Sequence, residues 1–220
     1  MPSMHTPRQI LTIVVLTAAV SGALTAATYT DTFTGSPSLP WNNQTGTWSV
    51  AGDRYTSSLI SHGGHSLLPY AHKDFTVDVD VFGVSNGGVW LRAAPSSSLI
   101  GVQGVLLAMA GNELYWHVVP DGPGSPWGPS LGSSGPVFTP GDDIHVRIEV
   151  NGNDFAAFLN GVSTPVTTLS TAAFASGRAG LYGNSFQEFD NFVICDVPEP
   201  GSLTLLGAGL ALLALRSRRK

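Results

Sequence analysis

The sequence predicts an all-β fold, and three observations carry this prediction. Phe75–Phe82 and Ile144–Val150 alternate strictly between apolar and polar residues, which indicates strands with one buried and one solvated face. No apolar pattern of period 3.6 persists outside the two ends of the chain. Turn signals rich in Gly and Asn separate the short segments: Asn86-Gly87, Gly111-Asn112, Asn151-Gly152 and Asn160-Gly161. Many short antiparallel strands of this kind favour a two-sheet sandwich, and we predict a jelly roll.

Strand-like segments follow one another along the whole central part of the chain. Trp48 and Trp116 alternate with polar neighbours and are predicted to lie in the core. The predicted strands, in order, are Tyr29–Phe33, Trp48–Val50, Arg54–Ser57, Phe75–Phe82, Gly88–Ala93, Val105–Ala110, Leu114–Val119, Ile144–Val150, Phe155–Leu159, Arg178–Tyr182 and Phe186–Ile194.

The N-terminal end, residues 1–27, is predicted to be a signal peptide. Arg8 precedes the apolar run Ile10–Val20, and small residues suited to signal peptidase follow. Both Ser21-Gly22-Ala23 and Thr25-Ala26-Ala27 fit a cleavage site, and we favour the second because strand-like sequence begins at Thr28. The alternative is an uncleaved N-terminal anchor.

The C-terminal end, residues 197–220, combines three parts in a fixed order. Pro198, Glu199 and Pro200 form a stiff connector, Leu203–Leu215 is a short apolar helix candidate, and Arg216–Lys220 carries four cations that stay on the cytoplasmic side. This end resembles the PEP-CTERM sorting signal of Gram-negative bacteria. The resemblance implies a membrane-tethered intermediate, processing by an exosortase, and delivery to the cell surface or extracellular matrix. The apolar run is shorter than the roughly 20 residues of a stable membrane helix, which favours transient insertion.

Residues 28–196 are long enough for a single β-sandwich domain with its own core. Cys195 is the only cysteine, so no intramolecular disulfide is available, and we expect it to be half-buried at the end of the last strand. The segment carries five Lys and Arg against fourteen Asp and Glu, a net charge of −9. Such a surface repels nucleic acid and anionic lipid headgroups, so we expect neither as a partner.

Several segments resemble the concanavalin A-like, laminin-G-like sandwich superfamily. They are Thr30–Phe33, Gly46–Tyr55, the hairpin Ile144–Gly161 and the closing Phe189–Val193. The resemblance implies a jelly roll of the kind found in surface and sugar-related domains.

Catalytic carboxylates are not expected. The family-16 glucanases on this fold carry Glu-x-Asp-x-x-Glu, and the nearest echo here, beginning at Glu188 and Asp190, has Val193 in the last position. Asp78 and Asp80 share one strand face without an accompanying glutamate, and we interpret both pairs as solvated.

Two metal hypotheses follow from the sequence. His62, His65 and His72 are predicted to cluster in a loop, although its glycines argue against a preformed site. A structural Ca²⁺ between Asp31 and Asp190 is more plausible, because the first and last strands of a sandwich often pair.

A sugar-binding face is predicted from aromatic and polar side chains on alternating strand positions. Trp90 and Arg92 share one face of their strand, and Tyr115 and His117 share one face of theirs. With the polar face of Ile144–Val150 alongside, they would form one mixed aromatic and charged surface. The alternative is that long loops cover this face and make Trp90 and Tyr115 part of a satellite core. Trp127, in a Gly/Pro-rich loop, either caps the sandwich or contacts a ligand.

The functional hypothesis is an exported β-sandwich of the cell surface or extracellular matrix that binds polysaccharide or has a structural role in it. The alternatives are a glycan hydrolase on the same fold and a matrix protein without a ligand. Retention of the protein on polysaccharide distinguishes a binding module from a matrix protein without a ligand.

Overall fold

A computed structural model describes residues 26–58, 61–122 and 127–197, and every regular element among them is a β-strand. Residues 25–199 form one compact unit. The predicted signal helix and C-terminal membrane helix lie outside the described residues. Within the described part of the chain, no helix has the length and apolar character needed to cross a membrane.

Fifteen strands make up the described structure. They are β1 (Thr28–Asp31), β2 (Asn42–Thr45), β3 (Trp48–Ala51), β4 (Arg54–Ser57), β5 (Gly64–His72), β6 (Phe75–Phe82), β7 (Asn86–Pro95), β8 (Val102–Ala110), β9 (Glu113–Val119), β10 (Ser130–Ser133), β11 (Ile144–Asn151), β12 (Asp154–Leu159), β13 (Thr167–Ser170), β14 (Gly177–Gly183) and β15 (Glu188–Asp196).

The strands form two antiparallel sheets, which confirms the predicted sandwich. The eight-stranded sheet has the order β13-β12-β11-β6-β15-β4-β3, with β1 paired to β15 as well. The seven-stranded sheet has the order β10-β9-β8-β7-β14-β5-β2. Chain neighbours such as β11 and β12 pair through a tight turn, whereas β6 pairs with β11 and β15 across long sequence separations.

The main core lies between the two sheets. From β6 it receives Phe75, Val77, Val79 and Val81, which are all fully buried, as the alternation predicts. Trp48 and Trp116 are buried there too, which confirms their predicted place. Since each fully buried large apolar side chain contributes roughly 1.5–3 kcal/mol, this core accounts for a domain without a disulfide.

A second apolar cluster lies on the outer face of the seven-stranded sheet. It contains Trp90, Leu106 and Tyr182, and residues of the loops that follow β7 and β9, including Ile100 and Trp127, pack onto it. The central strands β7 and β8 are therefore buried on both faces. The continuous apolar run 105–110 is typical of such a strand.

The two ends of the sandwich are distinguished by the strands that meet there. We call lower the end at which β5 turns into β6 and β15 finishes at Asp196, and upper the opposite end. At the upper end β6 passes into β7, with Phe82 and Asn86 on either side of the connection.

Candidate functional site

Trp90 is fully buried, so its predicted place on an exposed sugar-binding surface is wrong. Its indole Nε1 donates a hydrogen bond of 3.0 Å to Nδ1 of His65. The His65 Nε2 in turn donates to the carbonyl of His62 at 3.2 Å.

These contacts fix the protonation state of His65. Because an indole can only donate, Nδ1 of His65 must accept and the ring is neutral. Burial lowers the pKa of His65 to about 4, which agrees with this assignment.

Arg92 is also buried, and its predicted exposure is wrong for a backbone reason. Its φ of 46° and a register shift between Leu91 and Ala94 interrupt the regular alternation of β7. The guanidinium therefore reaches the lower end of the sandwich, where it forms a clamp between loops. It donates to the carbonyls of Lys73, Gly152 and Phe174 and to the carboxylate of Asp74, at 2.6–3.3 Å.

Tyr115 and His117 of strand β9 lie half-buried on the same outer face of the sheet as each other, as predicted. His117 is opposite Leu106, and Leu106 is opposite Trp90, so one row of side chains crosses three strands. Burial lowers the pKa of His117, although the carbonyls of the overlying residues 127–129 favour its protonated ring. This face is thus a covered surface, as the satellite-core alternative described it.

Trp127 caps that surface. Its ring lies 4.9 Å from the ring of Tyr182 and 5.7 Å from that of His65, and Tyr182 stacks on His65 at 5.1 Å. Trp127 is half-buried, so one part of the indole faces solvent. Trp127 therefore packs as a cap, and its predicted contact with a ligand stays a prediction.

The polar face of β11 does not adjoin Tyr115 and His117, contrary to the prediction. Strand β11 belongs to the eight-stranded sheet, whereas β7 and β9 belong to the other. The surface predicted as one is therefore two surfaces on opposite sides of the sandwich. One is aromatic and covered, and the other is charged and open.

The open surface carries a cleft of about 460 Å³, which we call the charged cleft. Strands β6, β11 and β12 position its side chains, because outward residues alternate with core residues along each of them. The lining residues are Asp78, His145, Arg147, Glu149, Phe158, Gly161, Val162 and Ser163.

Hydrogen bonds hold the polar groups of the charged cleft in place. The imidazole of His145 lies between two carboxylates, with Nδ1 2.7 Å from Asp80 and Nε2 3.2 Å from Asp78. Arg147 contacts Glu149 at 3.0 Å and lies 4.0 Å from Asp78. All these side chains remain partly exposed, so their planar donors and acceptors are available to a ligand.

Apolar contact surface is present beside these groups. Phe158 is half-buried opposite Arg147 in the β11–β12 pair, and Val162 is 54% exposed in the following turn. The combination of an apolar floor with a few fixed polar groups is typical of small-ligand sites. Sequence reasoning placed the polar face of Ile144–Val150 in a binding surface but gave it the wrong neighbours, because its proximity to Asp78 depends on the non-local pairing of β6 with β11.

The two carboxylate pairs noted in the sequence meet on this same open sheet face. Asp190 lies directly opposite Asp80 where β15 pairs with β6. Asp80 is held by His145 and by the amide of Asn191, at 2.8 Å, and Glu188 forms an ion pair of 3.0 Å with Arg54.

Asp31 and Asp190 do not come together, so the predicted shared Ca²⁺ site is wrong. The terminal strands do pair, but Asp31 is opposite Phe192, a core residue, and points inward. Its carboxylate accepts hydrogen bonds from the N–H groups of residues 33, 38 and 39 and from Trp41 Nε1. Asp190 points outward on the other side of the sheet. In residues 26–58, 61–122 and 127–197, no three His, Cys, Asp or Glu side chains group as metal ligands would.

In the other metal hypothesis, His65 stays beside His62 through a hydrogen bond to the His62 carbonyl, whereas His72 contacts a different part of the domain. His65 accepts a hydrogen bond from Trp90, whereas His72 Nδ1 lies 2.6 Å from the carboxylate of Asp196.

Cys195 is half-buried at the end of β15, as predicted.

Comparison with known proteins concerns the two parts of the chain separately. Residues 196–220 match the PEP-CTERM protein-sorting motif, which confirms the predicted sorting signal with Pro198, Glu199 and Pro200. That motif implies processing by an exosortase. Among curated proteins, no sequence matches this chain.

Solved structures resemble the sandwich. The carbohydrate binding module CBM66 from Bacillus subtilis is 17% identical, with a TM-score of 0.54 over 72% of this chain and 92% of that one. The VIP36 exoplasmic/lumenal domain, bound to Ca²⁺ and Man2, is 9% identical, with a TM-score of 0.55 over 80% and 89%. The Bacillus licheniformis β-glucanase is 9% identical, with a TM-score of 0.51 over 77% and 98%. At these identities the likeness establishes the fold alone, and the chain is therefore an all-β jelly-roll sandwich that ends in a PEP-CTERM sorting motif.

Proposed function

We propose that this protein is an exported module that binds polysaccharide through the charged cleft. The observation that carries the proposal is the cleft itself, an opening of about 460 Å³ on the open sheet face. Its size falls within the roughly 300–1,000 Å³ of known small-ligand sites. Rigid strands fix its polar groups, so a bound sugar would lose little affinity to reorganisation of the protein.

The chemistry of the cleft suits sugar hydroxyls. Carboxylates accept, guanidinium groups donate, and the side chains of Asp78, Arg147 and Glu149 already lie at hydrogen-bonding distances from one another or from His145. The ring of Phe158 offers an apolar plane on which the hydrophobic face of a sugar can pack.

The charge of the protein narrows the class of polysaccharide. Residues 28–196 carry a net charge of −9, and carboxylates outnumber guanidinium groups in the cleft. We therefore expect neutral or amino-sugar polymers to bind better than uronic acid or sulfated polymers.

The sorting motif and the predicted signal peptide support an exported place of action. The protein crosses the inner membrane, is held there for processing by an exosortase, and then acts at the cell surface or in the extracellular matrix of a Gram-negative bacterium. Binding exopolysaccharide at that place gives the protein a structural role in the matrix.

The proposal includes binding without cleavage. Support comes from Asp80 and Glu188, two carboxylates on the open face that already hold protein partners: His145 and Asn191 for the first, Arg54 for the second. Incubation of the protein with each retained polysaccharide, followed by measurement of reducing ends, tests this part. Release of new reducing ends would identify a glycan hydrolase instead.

Retention of the purified protein on insoluble neutral polysaccharides tests the binding site. We expect the wild-type protein to be retained and the double variant Arg147→Ala, Phe158→Ala to lose at least ten-fold in affinity, about 1.4 kcal/mol. Tyr115→Ala on the covered face is the matched control and should bind as the wild type does. Equal retention of the double variant, or no retention of the wild type on any polymer, would contradict the proposal.

A further inference from the structure

The lower end of the sandwich has an unusual relation to the sorting motif. Strand β15 finishes at Asp196, and Pro198 begins the motif only two residues later. The chain stays hydrogen-bonded to the domain up to this point, because Asp196 N donates to Ala27 O at 2.9 Å and Val197 N donates to Asp74 O at 2.8 Å. No spacer therefore separates the folded domain from Pro198.

The buried side chain of His72 also holds the end of β15 in place. Nδ1 of His72 lies 2.6 Å from Oδ1 of Asp196, and the His72 ring is buried against Tyr29 and Phe75. Side chains at this end also line a cleft of about 210 Å³, which we call the exit cleft: Ala71, His72, Lys73, Asp74, Asp196 and Val197.

Covalent geometry limits how far the motif can lie from this cleft. A chain spans at most about 3.6 Å per residue, so the three residues from Val197 to Pro200 reach no more than about 11 Å. An enzyme that binds Pro198, Glu199 and Pro200 in its own active site must therefore come into contact with the lower end of the sandwich.

We infer that the exit cleft is an interaction surface for the processing exosortase, which recognises the end of the folded domain together with the motif. The inference rests on the proposed processing step and adds a partner surface to it. The cleft offers the carboxylate of Asp196, which is partly exposed, and the backbone of β15, which His72 holds in a fixed position. A complementary surface of the enzyme would provide hydrogen-bond donors or positive charge. The charged cleft lies on the outer face of β6, β11 and β12 and shares no lining residue with the exit cleft, so the two are separate surfaces.

Processing of the full-length chain, co-expressed with an exosortase in a Gram-negative host, tests this inference. The processed fraction is measured by immunoblotting of the cell envelope for three variants: a six-residue Gly/Ser insertion between Val197 and Pro198, Ala71→Trp, and the control Asn112→Trp. The insertion adds roughly 12–15 Å of flexible reach, and Ala71→Trp fills the exit cleft. Asn112 is exposed in the turn after β8, at the upper end.

We expect the insertion and Ala71→Trp each to lower the processed fraction at least five-fold, and Asn112→Trp to leave it unchanged. Thermal unfolding of the purified variants verifies that they are folded. Wild-type processing of both test variants, or faster processing after the insertion, would overturn the inference and leave the proposed sorting step intact. If the wild-type chain is not processed, both the inference and the proposed sorting step are wrong. Polysaccharide retention tests the charged cleft and does not depend on processing.

Discussion

The outer faces of the two sheets are used in opposite ways, although the inner faces of both sheets contribute to the main core. On the seven-stranded sheet, outward positions carry Trp90, Leu106 and Tyr182, and loops cover them. On the eight-stranded sheet, outward positions such as Asp78 and Arg147 carry charge and remain partly exposed. In β6 and β11 the alternating polar residues meet solvent, whereas the continuous apolar run of β8 belongs to a strand covered on both sides. We therefore expect the covered face to stabilise the domain, and we propose the open face as the binding surface.

The largest expected effect comes from Trp90→Ala on the covered face. Removal of a fully buried indole leaves a cavity and an unpaired His65 Nδ1, so we expect a loss of about 3–5 kcal/mol in the free energy of unfolding. Chemical denaturation measures this loss. A change below about 1 kcal/mol would show that this face is not a second core.

Arg92→Ala should cost about 3 kcal/mol by a different mechanism. The change removes a buried guanidinium and leaves the carbonyls of Lys73, Gly152 and Phe174 without their donor. Arg147→Ala on the open face is the matched control, and its exposed ion pairs predict a change below about 1 kcal/mol. Chemical denaturation of the two variants, compared at equal denaturant slope, measures both losses in the free energy of unfolding. Equal losses in the two variants would contradict the prediction.

The third prediction concerns pH and His65. Its pKa is about 4 in the folded protein, against 6.5 for an ordinary histidine, so the unfolded chain binds the proton more readily. The stabilisation is complete above pH 6.5 and is lost as the pH falls towards 4, by up to about 3 kcal/mol. Unfolding free energies at pH 7, 5.5 and 4.5 measure it. His65→Gln should flatten the profile, and an unchanged profile in that variant would refute the assignment.

The smallest expected effect on stability belongs to the charged cleft. His145→Ala removes two partly exposed hydrogen bonds to Asp78 and Asp80, and we expect the free energy of unfolding to change by less than about 1 kcal/mol. Polysaccharide affinity should nevertheless fall several-fold, because the carboxylates lose the group that orients them. A large loss of stability with unchanged affinity would reverse the roles that we assign to the two faces.

Local patterns predicted most strands but not how the outer faces are used. The alternation in β6 and β11 places Val79 and Val146 in the core as the structure has them. The same rule placed Trp90 on an exposed face, because alternation says which side a residue takes and not whether loops cover that side. The interior strand β5 was missed, because the glycines beside His62 and His65 made residues 62–72 look like a loop. The edge strands β2, β10 and β13 were missed because each has only four residues, most of them polar, which carry little periodicity.

Long-range pairing and local backbone distortions set the limits for the candidate sites. The charged cleft requires β11 to lie beside β6, a pairing between residues more than sixty positions apart that no local pattern encodes. The predicted pairing of the first and last strands was correct, but the inward direction of Asp31 was not anticipated. Arg92 left its expected face because of a positive φ within a strand, which is uncommon for a residue other than glycine.

Side-chain oxidation footprinting, with and without a retained neutral polysaccharide, compares the two faces most directly in a single measurement. We predict that Trp90 resists labelling in both states, and that His145 and Phe158 are labelled in the free protein and protected in the complex. Protection of Tyr115 and Trp127, with His145 and Phe158 unchanged, would contradict this account and place the binding surface on the aromatic face.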